Sequence, residues 1–514
     1  MIKSIQIENF RSIKSLFLTP KNLTAFVGAN SVGKTNVLKA IDLVLGEGWT
    51  TKAKVVRELF HDTSQPINIE IEFNTPIKHY DNYKGDTNIY SIKLEMKMFP
   101  EFVCEVRLYD NNGNKFYIND SFKKNCHFIY IPSDRDLTSE MRVSNWTLLG
   151  KLMKEIHLNY IEKYNGNEES LRDDFKIKMT EPREFLEADF SEKITFKKFS
   201  DCFIKHCSNN SKGFASALKP ELSIYNLNWF YKTLQIAINE TGSDKVFDSE
   251  EVGSGMQNLI LISIFQTYAE LMGGKVIFGI EEPEIYLYPH AQRALYNSFK
   301  LISETSQILY TTHNPNFIDA SRAYEIEMLR KSDAYGTYNI KKTDFINEIE
   351  AKKVRFKIYT HFNTERNELF FANKILLVEG DSDKIFFKTI ISEIWGIDIE
   401  INGISIIDCS GKQGVAYFSG LCKAMGIEKY FSIWDSDDKP DELKLLSKIL
   451  VEGKGIELHK NLEDFLSTNI NKDLTEYKHS EKVRQAFQIA SSLLEDEIPS
   501  EFDLLKAFII ENSI

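Results

Sequence analysis

Apolar and polar residues alternate along the first stretch, MIKSIQIENF, and again in Ser15–Leu18 after Arg11-Ser12. A period of two is what a half-buried strand requires, so the two segments are predicted as a strand pair turning at Arg11-Ser12. Ile67–Phe73 (INIEIEF) and Tyr90–Met98 (YSIKLEMKM) repeat the alternation. Val103–Leu108 and Lys115–Ile118 flank Asn111-Asn112-Gly113-Asn114, a turn composition that predicts a hairpin. Leu23–Val27, His127–Pro132, Lys275–Ile280 and Gln307–Tyr310 are different: short, mostly apolar runs that end in polar residues. Parallel strands have this form where their C-terminal ends meet a ligand.

Helical spacing takes over elsewhere. Asn36–Leu45 carries it, and so does the stretch containing Leu259–Phe265. Leu137–Leu222 is charged and helical in pattern (LLGKLMKEIHLNYIEKY, SLRDDFKIKM). It is predicted as a helical insertion, either a solvated hairpin or a dimerisation arm. Ala334–Glu365 reads as a polar connector. From Phe371 the chain alternates again: strand Lys374–Val378, helix Asp383–Trp395, strand Ile404–Ile407, helix Gly414–Met425, strand Tyr430–Trp434. That order predicts a small parallel sheet, and Glu481–Ile514 follows as mostly helix. The expected segments are 1–136 and 223–345 as two halves of one head, 137–222 as the insertion, 346–370 as a basic connector, and 371–514 as a second domain.

Composition narrows the class. The chain has 514 residues, 42% hydrophobic and 27% charged, enough for several cored domains. No apolar run approaches the ~20 residues of a spanning helix, and MIKSIQIENF lacks the apolar run of a signal peptide. The six cysteines (104, 126, 202, 207, 409, 422) contain no C-x-x-C pair. Cys202, His206 and Cys207 have the wrong spacing for a zinc knuckle. A reduced, cytoplasmic protein without a membrane segment is expected. A net charge of −12 argues against a chain that coats DNA non-specifically. It leaves room for a local basic surface and for acidic clusters that hold cations. Lys352-Lys353-Val354-Arg355-Phe356-Lys357 is one basic run with an aromatic inside it. Such a run is ordinarily a solvated face, and contact with a DNA backbone is the sharper reading.

Gly28-Ala29-Asn30-Ser31-Val32-Gly33-Lys34-Thr35 fits the phosphate-binding loop G-x-x-x-x-G-K-[ST], between a strand and a helix. The glycines permit the tight turn, Lys34 reaches β/γ-phosphates, Thr35 holds Mg²⁺, and the helix N-terminus favours the anion. Asn30 and Asn36 flank the same phosphates. The partner motifs come later in the chain. Glu281-Glu282 follows an apolar strand, so Glu281 is expected to hold Mg²⁺ directly or through water, and Glu282 to orient and deprotonate the attacking water. His313, after its own strand, is placed to sense a γ-phosphate. Gly253-Ser254-Gly255-Met256-Gln257 opens a helix and can present amides to that phosphate. Singly, each has a bland alternative: a solvated acidic pair, a structural histidine, a glycine turn. In this order they predict an ATPase head.

These residues resemble the ABC-type ATPase head of the SMC/RecF-like group. The resemblance implies that Gly255 and its neighbours complete the nucleotide site of another subunit, in a homodimer or higher assembly. Two departures bear on turnover rather than binding. Glu281 stands where the group has Asp, and Gly-Ser-Gly-Met-Gln replaces Leu-Ser-Gly-Gly-Gln.

In the second domain the strand Ile375–Val378 runs into Glu379-Gly380-Asp381-Ser382-Asp383, and Phe431–Trp434 runs into Asp435-Ser436-Asp437-Asp438. Two apolar strands ending in carboxylates can bring Glu379, Asp383, Asp435 and Asp437 to one sheet edge. Such a cluster repels itself unless cations bind, and hard oxygen donors select Mg²⁺ or Mn²⁺. These ions serve phosphodiester cleavage. Taken singly, each segment is an acidic turn; the pair predicts a metal site.

The segment resembles a Toprim domain, with Glu379 as its strand-terminal glutamate and Asp435/Asp437 as its D-x-D. An ABC-type head followed by Toprim is the organisation of the OLD (overcoming lysogenisation defect) family, which includes the nuclease subunit of Gabija defence systems. The likeness covers nearly the whole chain: FRSIKSL, VGANSVGKTNVLKAID, YIPSDRDL, GSGMQNL, EEPEIYLYPHAQR, TTHNP, LLVEGDSDKIFF and D-S-D. It implies that Asp383 is the second acidic position, that Glu463 is a late acidic residue, and that Lys478 or Lys482 is the family's catalytic basic residue near the end. It also implies an ATP-binding, metal-dependent DNA nuclease, with a role in anti-phage defence and a partner such as a helicase encoded alongside. The alternative is an SMC/RecF-like DNA-sensing ATPase whose Toprim-like region only binds. A topoisomerase or primase would need strand-passage domains for which there is no room. A toxin-like nuclease restrained by a partner would share the chemistry and differ in control.

Overall fold

The computed structural model describes the chain except residues 47, 49–50, 82–84, 99–103, 134–143, 145–146, 189–196, 199–200, 203–236, 240–245, 249–252, 272–275, 286, 341–363, 437–443, 459, 470–478 and 512–514. Contacts divide it into two compact units. One comprises Met1–Ser133, Gly274–Ile285 and Pro289–Ile514; the other comprises Asp134–Gly273 with Tyr286–Tyr288.

The first unit contains two sheets. The larger has eleven strands, ordered β6-β5-β4-β1-β2-β13-β12-β3-β11-β10-β7. These strands are β1 (Ile2–Phe10), β2 (Ile13–Leu18), β3 (Leu23–Val27), β4 (Ile67–Asp81), β5 (Gly85–Met98), β6 (Cys104–Asp110), β7 (His127–Ile131), β10 (Val276–Glu281), β11 (Gln307–Thr311), β12 (Ile326–Ser332) and β13 (Gly336–Asn339). The β6-to-β2 half is antiparallel, and β12, β3, β11, β10 and β7 are parallel. This division follows the pattern of the sequence. Strands that alternate bury one face, as in β1 with Ile2, Ile5 and Ile7. The mostly apolar β3, β10 and β11 are buried along their whole length.

Two sequence expectations change here. Lys115–Ile118 forms no strand: β6 meets it only at the bridge Tyr109–Lys115. The Asp110 carboxylate accepts from the amides of Asn112 and Asn114, so the turn is held by a side chain and no ladder follows. Ala334–Asn339 is not part of a connector, since Gly336–Asn339 is β13 and pairs antiparallel with β12. Four residues carry too little periodicity to announce a strand. The basic run at 352–357 lies outside the described residues.

The smaller sheet has the parallel order β15-β14-β16-β17, built from β14 (Lys374–Val378), β15 (Ile404–Asp408), β16 (Tyr430–Asp435) and β17 (Gly455–Leu458). Helices Asp381–Thr389, Lys412–Ala424, His479–Ser492 and Asp503–Ile510 accompany it. Its core includes Phe386, Phe387, Ile390, Phe431, Leu466 and Phe502.

The second unit holds helices Leu148–Lys163, Glu168–Lys178, Thr180–Glu187 and Ser254–Leu271, with the short hairpin β8 (Ala237–Asn239) and β9 (Val246–Asp248). Thr147 and Asn167 cap the first two helices, their side-chain oxygens accepting from first-turn amides. Among the described residues no helix is long and apolar enough to cross a membrane.

Candidate functional site

After β3 the chain turns through Gly28 (φ 150°), Ser31 (φ 62°) and Gly33 (φ 102°) into helix Lys34–Leu45. Gly33 requires its missing side chain. A Cβ there would stand 2.4 Å from Thr337 Oγ1 and 2.5 Å from Ser12 Oγ. These two hydroxyls brace the loop. They lie 2.7 Å apart, and Thr337 Oγ1 reaches Val32 O at 2.6 Å. Asn36, expected at the nucleotide, donates its side-chain amide to Ser12 Oγ at 2.8 Å, so it belongs to the brace. Asn30 is exposed on the loop, and Thr35 is half-buried in the first helical turn.

Lys34 is buried, and its ammonium donates to the Gly28 and Ala29 carbonyls at 3.0 and 2.9 Å. Burial pulls its pKa down to about 8, while Glu282 and Glu284 act in the opposite direction. The loop therefore holds a partly desolvated cation directed at the place where phosphate oxygens belong.

The sheet order places β11 between β3 and β10, so three strand ends meet along one edge. Glu281, at the end of β10, is 4% exposed. Tyr130 OH and the Ser133 hydroxyl and amide donate to its carboxylate. Glu282 adopts φ 41° and donates its amide to Thr311 O at 3.0 Å. Its carboxylate lies 4.0 Å from His313 Nε2. His313 follows β11; burial and then the Lys34 charge lower its pKa, so the imidazole is neutral at pH 7. Glu284, which the sequence did not single out, accepts from Thr312 Oγ1 at 2.7 Å and from the His313 amide at 3.0 Å. Its burial raises its pKa. Lys34, Glu282 and His313 thus share one field, with Glu284 positioning the histidine backbone. Gly255 lies in the first turn of helix Ser254–Leu271 in the other unit, where Met256 is exposed and Gln257 buried.

The second constellation lies at the C-terminal edge of the small sheet. The strand order reverses between β14 and β16, and a crevice opens at such a switch point. Glu379 follows β14, Asp435 ends β16 and Asp408 ends β15 in register with Val378. The Asp435 amide donates to Glu379 Oε1 at 2.9 Å, which fixes these two residues side by side. Asp383 is buried, and its Oδ2 accepts from the Gly380 amide at 3.0 Å, capping helix Asp381–Thr389. An open cleft of about 630 Å³ is lined by Glu379, Asp383, Asp408, Asp435, Ser410 and Lys482 among others.

Lys482 is in the cleft wall, while Lys478 and Asp437 lie outside the described residues. Glu463 is in helix Leu462–Asn469, whose first residue also lines the cleft. Among the described residues no three of His, Cys, Asp and Glu converge closely enough to hold a metal ion. The donor chemistry still fits a hard divalent cation, since carboxylates end all three strands at the crevice.

Two residues escaped the sequence reading, one lining the cleft and one beside it in sequence. Asp408 ends an apolar strand, as Glu379 and Asp435 do, and the same rule would have found it. Lys412 donates to Ser436 O at 2.8 Å and lies 3.7 Å from Glu457, so it pins the turn that follows Asp435. Nothing in a lone lysine after a glycine announces that contact.

A phosphate-loop head and a small parallel sheet with an acidic crevice define a class of ATPases that carry a Toprim domain. The chain matches the AAA ATPase domain over residues 1–127 and 109–318, and the overcoming lysogenization defect protein-like Toprim domain over 370–437. It is 28% identical over 471 residues to the OLD nuclease of Thermus scotoductus, covering 86% of this chain and 84% of that protein. The Old nuclease of Escherichia phage P2 is 24% identical over 477 residues, with coverages of 83% and 76%. Endonuclease GajA of Bacillus cereus is 22% identical over 435 residues, with coverages of 79% and 70%. The chain belongs to the AAA ATPase domain family and carries an OLD-like Toprim domain after that head, and its similarity to the Thermus OLD nuclease runs over most of its length. Use of a nucleotide and of divalent metal, in general terms, goes with these two domains. Among solved structures, an Smc head domain from Pyrococcus furiosus aligns with TM-score 0.39 and 18% identity, covering 66% of this chain and 95% of that one.

Proposed function

We propose that this protein is a nucleotide-regulated, metal-dependent DNA endonuclease acting in anti-phage defence. The observation that carries the proposal is the pairing of Glu379 with Asp435 in the cleft of an OLD-like Toprim sheet. The names of three nuclease relatives support it. Glu379, Asp435 and Asp437, with Asp383, are the residues that would hold Mg²⁺ or Mn²⁺; such an ion supplies an activated water and neutralises phosphodiester charge. Lys482, or Lys478, offers a cation to the cleaved phosphate, and Glu463 assists from its helix. In the head, Lys34 binds the β/γ-phosphates of ATP and Thr35 holds its Mg²⁺, with Gly33 and Asn30 shaping the loop. Glu281 supports the nucleotide's Mg²⁺, Glu282 orients the attacking water, and neutral His313 donates to the γ-phosphate. Gly255 of a second copy closes the nucleotide site, so the active form is a homodimer or larger. DNA is the substrate, its backbone met in part by 352–357, and a helicase-like partner completes the defence system.

The test is cleavage of duplex plasmid DNA with Mg²⁺ or Mn²⁺ by the wild type and by Glu379→Ala. Loss of cutting in the variant is expected; full activity in it overturns the assignment. A second reading is an SMC/RecF-like ATPase that senses DNA without cutting it. Asp383 favours it, because one of its oxygens caps a helix. ATP turnover with no cleavage at any metal or nucleotide condition would establish it.

A further inference from the structure

The short segment Thr364–Phe370 touches both functional regions through two adjacent buried residues. Asn367, 1% exposed, donates its side-chain amide to Pro315 O at 2.7 Å and Ile318 O at 2.8 Å. Those carbonyls belong to the turn that begins at His313. That turn is otherwise tied to the nucleotide side. Glu284 accepts from Thr312 and from the His313 amide, and Gln292 Oε1 accepts from Asn314 and Asn316 at 2.9 Å each. Phe317 anchors it among Tyr296, Phe299 and Tyr310.

Arg366, 5% exposed, faces the other way. Its Nε donates to Asp408 O at 2.8 Å, and its Nη2 donates to Ser410 Oγ and lies 3.7 Å from the Asp408 carboxylate. Its guanidinium lies 5.8 Å from the Phe418 ring centroid. Asp408 and Ser410 line the acidic cleft. Their loop is stitched to the metal-side strand: the Cys409 amide donates to Val378 O at 2.9 Å, and the Gly411 amide donates to Glu379 O at 2.8 Å. Next to Arg366, Glu365 pairs with Lys384 on the helix that follows Glu379.

We propose that Arg366 and Asn367 form a strut that links the His313 turn to the 408–411 loop, so that nucleotide state in the head sets the position of Glu379 in the cleft. The inference rests on the proposed ATP-regulated nuclease and supplies its coupling element. Two rigid contacts on consecutive residues leave little slack: a shift of the turn carries Asn367, and Arg366 moves with it. Both are positioning residues, since neither touches nucleotide or a reacting atom. Buried hydrogen bonds on both sides make displacement of either end costly unless both move.

The test is hydrogen exchange of the full chain, with and without a non-hydrolysable ATP analogue, in wild type, Asn367→Leu and Arg366→Gln. Asn367→Leu keeps the branched shape and removes the donors; Arg366→Gln breaks the other end and guards against a folding failure in the first. In wild type the analogue is expected to alter exchange at both 28–36 and 404–412. In each folded variant the change at 28–36 persists and the change at 404–412 is lost. A retained response at 404–412 in the variants, or none in wild type, overturns the strut. Cleavage assays separate this from failure of the nuclease reading. Coupled sites of this kind differ by roughly 5- to 150-fold, and the nucleotide effect on cutting should fall to within about twofold of none in Asn367→Leu. If no protein cuts DNA, the nuclease reading fails while the exchange result still decides the strut.

Discussion

Substituting Ala for Gly33 tests the head where its geometry is tightest. The new Cβ would lie 2.4 Å from Thr337 Oγ1, 2.5 Å from Ser12 Oγ and 3.2 Å from Thr337 Cγ2. Thr337 is fully buried and cannot swing into solvent. Its hydroxyl is also held by Val32 O, and Ser12 Oγ by Asn36. Two costs follow. A residue with a Cβ at φ 102° carries strain of about 1–2 kcal/mol. Separating the two hydroxyls disrupts the Ser12–Thr337 and Asn36–Ser12 hydrogen bonds, at about 1 kcal/mol each. A loss of about 3–4 kcal/mol is expected, or a fall in melting temperature of about 6–16 °C at about 2–4 °C per kcal/mol. The loop amides move with the backbone, so affinity for a fluorescent ATP analogue should drop at least about tenfold, which is ~1.4 kcal/mol. Thermal melting and nucleotide titration give the two readings. A melting shift under about 2 °C with affinity within about twofold of wild type would refute the brace and the reading of the loop that depends on it.

Three further outcomes follow from the same geometry. Above pH 8 the nucleotide-free Lys34 is partly neutral, and bound phosphate favours its charged form; ATP binding near pH 8.5 should therefore take up protons, seen as buffer-dependent heats in calorimetry, and no uptake or a release contradicts this. Glu284→Gln retains the acceptor for Thr312 and His313 and removes a carboxylate whose pKa burial has raised. Because the folded pKa exceeds the unfolded one, native Glu284 costs stability as pH rises above 4.5, so the variant should melt higher at pH 7 and lose that advantage in acid. Tyr130→Phe removes the phenol that holds Glu281; ATP turnover should fall about 10- to 100-fold with little change in nucleotide affinity, and equal losses in both would contradict an orienting role.

The parts legible in the sequence are those whose chemistry is local. The phosphate loop carries its own glycines, lysine and threonine, and Glu281, Glu379 and Asp435 each end a short apolar run that can only be a buried strand. The β1–β2 pair and the alternating β4 and β5 were readable for the same reason, although both long strands extend past their alternating cores; β4 and β5 shift register between Glu72 and Ile77. What the sequence could not show depends on strand order. Thr337 is a single threonine in a four-residue strand, and only the placement of β13 beside β2 brings it behind Gly33. Tyr130 meets Glu281 because β7 pairs with β10 across more than a hundred intervening residues. Asn367 lies in a segment with no periodic signal, and its two acceptors belong to a distant turn. The signature segment beginning at Gly253 falls in the other compact unit, which the sequence reading divided between an insertion and the second half of the head.

The central claim is that the head controls and the Toprim cleft cuts. DNA cleavage measured across metal and nucleotide, on wild type, Lys34→Ala and Asp435→Ala, tests it most directly. Asp435→Ala should bind nucleotide as wild type does and cut nothing under any condition. Lys34→Ala should cut with Mg²⁺ or Mn²⁺ at a rate that no longer responds to ATP. Cleavage by Asp435→Ala at the wild-type rate, or an undiminished ATP response in Lys34→Ala, would contradict the account.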